Sequence, residues 1–201
     1  MHTLQELCEQ GTLRWGEDPA YFTDKGSWHS YIDTYQSLLD KYKSSIRILD
    51  IGIRAGGSLW LWKTYCSQHG IPYTLIGMDI EPTYCNIREF QADINDDPNV
   101  QFLWNTDSTL ADTYTNITGP FEVIIDDGAH SLESQIAAFG FAWPKLANNG
   151  TYIIEDVQGE HLIPIISNYI RAVEPTAIIT PHLGFKNNRI DDILIVITKP
   201  V

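Results

Sequence analysis

"IRILDIGIRAGGSLWLW", residues 46–62, decides the fold. The apolar run 46–52 ends on Asp50 and Gly52, as a buried strand does. "SLWLWKTYCSQHG" (58–70) then reads as a helix stopped by Gly70. A strand, a glycine-rich turn and a helix in direct succession form the opening unit of a parallel α/β sheet.

The pattern repeats outward. "YTLIGMDIE" (73–81), "NVQFLWNTD" (99–107), "FEVIIDD" (121–127) and "GTYIIED" (150–156) read as the next four strands. Ser131 caps a helix over "LESQIAAFGFAWPKL", and "HLIPIISNYIRAV" (161–173) is a helix bent or broken near Pro164. "TAIITPHL" (176–183) and "DDILIVITK" (191–199) form an antiparallel hairpin about the polar loop "GFKNNRI". Near-continuous apolar strands separated by helices require a sheet covered on both faces. The expected fold is therefore a doubly wound α/β domain over 46–201: a mostly parallel seven-stranded sheet with an antiparallel C-terminal hairpin. Residues 1–45 are expected to form a short helical extension. In it, "HSYIDTYQSLLDKY" lines up Tyr31, Ile32, Tyr35, Leu38, Leu39 and Tyr42 on one helical face.

With 201 residues, 43% of them hydrophobic and 19% charged, the chain suits one folded domain rather than a disordered protein. A net charge of -13 argues against nucleic acid and against an acidic membrane surface, since both need basic contact surface. Cys8, Cys66 and Cys85 show no paired spacing and read as reduced thiols. The N-terminus lacks a signal peptide's basic start and apolar core, so a cytoplasmic protein is expected. Aromatic residues near the N-terminus leave room for a homodimer.

Each expected strand end carries an acid: Asp50, Asp79, Asp107, Asp126 with Asp127, and Glu155 with Asp156. In doubly wound sheets ligands bind at that carboxyl edge. The turn "LDIGIRAGGS" spaces its glycines at 52, 56 and 57, not as G-x-G-x-x-G. D-x-G-x-x-x-G-G matches the S-adenosylmethionine (SAM) loop of class I methyltransferases, where glycines let the backbone approach the cofactor. Asp50, Gly52, Gly56, Gly57 and Ser58 are the expected cofactor loop. Asp79 would accept from ribose hydroxyls, Asp107 would meet the adenine end, and Asp126 completes the edge. Three carboxylates side by side repel one another unless a cation joins them. Oxygen donors alone favour Mg²⁺ or Mn²⁺.

The ordered blocks "TDKGSWHSYIDTYQSLL", "ILDIGIRAGGSLWLW", "GMDIEP", "VIIDDGAH" and "GTYIIEDV" resemble the metal-dependent sugar O-methyltransferases of macrolide biosynthesis, together with the cephalosporin hydroxylase-like group. The resemblance implies Asp127, Glu155 and Asp156 as metal ligands and His130 as general base. It also implies a polyhydroxylated small-molecule acceptor. Lys25 and His29 are substrate or cofactor contacts on this view. Read from the residues alone, Trp28 and Tyr31 are candidates for an apolar lid, and Arg189 in the loop 183–190 for a substrate rim. Core burial of Tyr31 and a solvated loop at 183–190 explain the last two equally well. Two other readings stand beside it: a metal-independent methyltransferase of phenols, catechols or amines, and a non-catalytic SAM-binding subunit.

Overall fold

The computed structural model describes residues 1–15, 22–82 and 93–201. Seven strands form one sheet: β1 (Ile46–Ile51), β2 (Tyr73–Met78), β3 (Val100–Leu103), β4 (Phe121–Asp126), β5 (Leu146–Ile154), β6 (Ile178–Leu183) and β7 (Ile193–Thr198). Their order is β3-β2-β1-β4-β5-β7-β6. Pairing is parallel from β3 through β5 and antiparallel at β7 and β6, as the C-terminal hairpin requires. The chain reverses direction across the sheet between β1 and β4, which opens a crevice above their carboxyl ends.

The apolar runs fill two cores because successive side chains point to opposite faces. Ile48, Val123 and Ile125 enter one core; Leu49, Ile51 and Ile124 enter the other. The first core is covered by α1 (Leu4–Trp15), α2 (Ile32–Leu39) and α3 (Gly57–His69). The second lies under α4 (Leu132–Ala142) and α5 (Ile163–Val173). Gly70 closes α3 at φ 64, and Ser131 Oγ caps α4 by accepting from Ser134 N at 3.1 Å. Both helix boundaries follow the sequence reading.

Three details refine that reading. The expected helix 161–173 is divided just before Pro164, into a 3-10 turn (Glu160–Leu162) and α5, and Pro164 sits in the first turn of α5, where its missing N–H is harmless. Every strand except β6 ends before its expected run does, β6 ends as expected at Leu183, and β5 begins earlier, at Leu146. The N-terminal segment, read as a short helical extension, is also built into the core. Leu4, Leu7, Trp15 and Phe22 share the core with Trp60 and Trp62, and Trp15 meets Trp60 edge-on at 4.9 Å. Cys8 and Cys66 are free, buried thiols, and Cys85 lies outside the described residues. Among the described residues, no helix is long and apolar enough to cross a membrane.

Candidate active site

The crevice is a cavity of about 320 Å³, within the range of small-molecule sites. The glycine turn makes one wall. Gly52 adopts φ +83, and a Cβ there would stand 2.0 Å from the Asp127 carbonyl oxygen, so the β1 and β4 turns touch through it. Gly56 caps α3 at φ 84, and the bare Cα of Gly57 lets the Phe22 backbone approach. Gly52, Ser58, Asp79 and Asp107 face the cavity. Asp79 is set by backbone donors, Arg54 N at 2.7 Å and Glu81 N at 3.0 Å. Thr109 supplies both an N–H and a hydroxyl to Asp107, and these hydrogen bonds hold its carboxyl below the ordinary range.

Asp50 and Asp126 lie beneath this wall, outside the cavity lining. Trp62 Nε1 donates to Asp50 Oδ2 at 3.0 Å, while Asp50 Oδ1 is buried with no hydrogen-bond partner. Burial pushes the Asp50 carboxyl up to about 6, against the pull of Lys25. Asp126 accepts from Gly128 N and Tyr152 OH, each at 3.3 Å, and burial lifts it to about 7.

A second group of titratable side chains lines the cavity past β4 and β5. β4 and β5 end side by side, with Glu155 N donating to Asp126 O at 2.9 Å, so the residues just past both strands converge. Ligand atoms of Asp127, His130 and Asp156 lie within 4.8 Å of one another. His130 Nε2 is 3.1 Å from Asp127 Oδ1, and Nδ1 is 3.7 Å from Asp156 Oδ2. Burial disfavours the charged ring, yet Asp127 and Asp156 outweigh it and raise His130 to about 9. His130 and Asp156 both adopt left-handed backbone, at φ 57 and 51. Arg54, at φ 45, is a third such residue on the cavity lining, and strained non-glycine backbone of this kind clusters at functional sites.

Glu155, the third expected ligand, turns away from the cavity. Its side chain accepts from Lys25 Nζ at 2.8 Å and from the Tyr35 hydroxyl. Lys25 Nζ also reaches Asp127 Oδ2 at 2.7 Å. His29 is buried between Asp156 and Asp192, each 3.6 Å away, and stacks on Tyr31 rather than facing the cavity. Arg189 is forked onto Asp191 and lies over the Trp28 ring, off the cavity wall. Tyr31 is no lid: it is 2% exposed, and its hydroxyl donates to Asp156 Oδ1 at 2.7 Å. The supporting role of Tyr31 and Tyr35 was missed by sequence reading. The only trace was their shared face in "HSYIDTYQSLL", which reads equally as core.

Residues 49–157 match the family described as a methyltransferase domain. The chain belongs to that methyltransferase family. Among relatives, it is 33% identical over 147 residues to the mycinamicin VI 2''-O-methyltransferase of Micromonospora griseorubida, covering 68% of this chain and 34% of that one. A tetracenomycin-C rhamnosyl 3'-O-methyltransferase of Streptomyces olivaceus is 29% identical over 174 residues, covering 78% of this chain and 41% of that one. The chain therefore spans less than half the length of these relatives. Its fold is shared with the mycinamycin-pathway methyltransferase MycE, solved with Mg, SAH and mycinamycin VI (TM-score 0.70, 21% identity, 99% of this chain and 55% of that one). A cmcI structure with Mg and SAM has the same fold (TM-score 0.61, 21% identity, 82% of this chain and 69% of that one).

Proposed function

We propose that the chain is a SAM-dependent O-methyltransferase, assisted by Mg²⁺ or Mn²⁺, acting on a hydroxyl of a sugar or glycosylated small molecule. The observation that carries the reading is one cavity lined by the glycine turn and Asp79 together with Asp127, His130 and Asp156. The sugar O-methyltransferases among its relatives support the acceptor class. A cytoplasmic setting, where thiols stay reduced and SAM is supplied, belongs to the same proposal.

The donor set fits both groups. Hard carboxylate oxygens suit a hard dication, and Asp127 and Asp156 are the pair that would hold it. The glycine turn, Ser58, Asp79 and Asp107 would line the SAM site. Bound there, the dication would orient the acceptor's oxygens and lower the hydroxyl's pKa. His130 is placed to take that proton, held by Asp127 on one ring nitrogen and near Asp156 on the other. It can do so only when neutral, so the charge of the two carboxylates must be taken up first. Tyr31 fixes Asp156, and the shared cavity fixes the distance between acceptor and methyl donor, which is where proximity supplies rate.

The test is methyl transfer from SAM to a panel of polyhydroxylated acceptors, followed by mass spectrometry with and without EDTA. Methylation abolished by EDTA and restored by Mg²⁺ is expected. EDTA-insensitive turnover on phenols or amines would replace this reading with the metal-independent one.

A further inference from the structure

The loop 184–192 between β6 and β7 is strapped onto the segment 24–31, which borders the cavity. Asp192 accepts from Ser30 N and Oγ, Lys186 Nζ donates to the Gly26 carbonyl, and Asn187 Nδ2 donates to the Ser27 carbonyl at 3.4 Å. Arg189 forks onto Asp191 at 2.9 and 2.6 Å, and its guanidinium lies 5.6 Å over the Trp28 ring. This assembly adjoins the reacting edge. Trp28 N donates to the carbonyl of Asp24, which lines the cavity, and the Asp191 carbonyl oxygen lies 2.9 Å from the Tyr31 hydroxyl that holds Asp156. The strap nevertheless leaves apolar side chains in water: Trp28 is 40% exposed, Phe185 67% and Ile190 73%. Among the described residues, Phe141 is the one other exposed tryptophan or phenylalanine. Exposed aromatic surface on a tied-down loop beside a cavity marks a ligand or partner face.

We propose that Trp28, with Arg189 stacked on it and Phe185 and Ile190 in the same assembly, is a platform for the acceptor's apolar aglycone. The aglycone rests on it while the attached sugar enters the cavity. The inference rests on the O-methyltransferase reading above and deepens it, since such a platform selects glycosides over free sugars. Size points the same way: a cavity of about 320 Å³ has to take SAM and the reacting sugar together, so a bulkier acceptor continues outside it. An indole backed by a guanidinium that Asp191 already fixes is rigid, and little ordering remains to oppose stacking. A second copy of this chain is the competing occupant, and a net charge of -13 on each copy works against it.

The test is kcat/KM with SAM and Mg²⁺ on matched methyl and 4-nitrophenyl pyranosides, across a set of hexoses and 6-deoxyhexoses. The wild type should prefer the 4-nitrophenyl member of the best pair by about tenfold, through KM rather than kcat. Trp28→Ala, checked for folding by circular dichroism, should lose that preference, and Trp28→Phe should keep most of it. A preference that survives Trp28→Ala, or an equal loss on both members of the pair, overturns the inference. Sedimentation velocity is the second readout. A wild-type dimer that Trp28→Ala splits would make the face a self-association surface and overturn the inference as well. Methylation of both members without an aryl preference sinks the platform alone. A wild type that methylates no pair, with or without Mg²⁺, sinks the proposed function and this inference with it.

Discussion

The Tyr31 hydroxyl donates a 2.7 Å hydrogen bond to Asp156 Oδ1, across 125 positions of sequence. Asp156 is thereby held at its left-handed backbone angle with Oδ2 directed toward His130. Partners that orient a metal ligand typically contribute one to two orders of magnitude in affinity. Tyr31→Phe should therefore weaken Mn²⁺ binding by about tenfold or more at unchanged fold, read by calorimetry beside a circular dichroism spectrum. Unchanged affinity would reduce Tyr31 to a packing residue.

Gly52 and Gly70 both adopt positive φ, but only Gly52 is enclosed. A Cβ at Gly70 meets nothing within 4 Å, whereas one at Gly52 would overlap the Asp127 carbonyl at 2.0 Å. Gly70→Ala should cost about 1–2 kcal/mol, the left-handed backbone penalty alone. Gly52→Ala should cost at least about 3 kcal/mol, because the turn joining β1 to α3 must also shift. Urea denaturation of both variants separates the two terms, and equal losses would contradict the close contact.

Asp50 gives a pH dependence of stability. It is buried and faces Trp62 and Ser58 from α3, Lys25 from the N-terminal segment and Asp127 past β4. Its carboxyl, at about 6, stands above the ordinary 3.8, so the fold penalises the charged form. The penalty is absent below pH ~4, grows as pH rises through 6 and is constant above, reaching roughly 3 kcal/mol. Asp50→Asn should be more stable than wild type at pH 7.5, with the difference gone at pH 4. A variant less stable at pH 7.5 would show that Lys25 needs the Asp50 charge.

Asp192 ties the N-terminal segment to the β6–β7 loop. It is fully buried and accepts from Ser30 N, Ser30 Oγ and Lys186 N at 2.8–2.9 Å. Asp192→Ala leaves those donors unpaired and should cost about 2–4 kcal/mol. Limited proteolysis should then cut first near residues 24–31. Resistance equal to wild type would mean that the shared core alone holds the segment.

The strands were legible because each needs only a local apolar run, and Gly70 and Ser131 marked helix ends through their own backbone chemistry. The acids of the carboxyl edge were legible as a set. Which of them face the cavity was not. Asp50 reads as a strand-end acid like Asp79, but the pleat buries it under Trp62. Glu155 and Asp156 are adjacent in sequence and have opposite fates, because Lys25, 130 positions from Glu155, claims one and Tyr31 the other. Such pairings exist only after the N-terminal segment has packed onto the sheet, and no short window of sequence contains them.

In the proposed function, Asp127 and Asp156 hold a divalent ion beside bound SAM. The most direct measurement is calorimetric titration of Mg²⁺ into metal-stripped, SAM-saturated protein, wild type against Asp156→Asn. One-site binding in the wild type that disappears in the variant is predicted. Equal binding in both proteins would contradict the account, because the ion would then sit elsewhere.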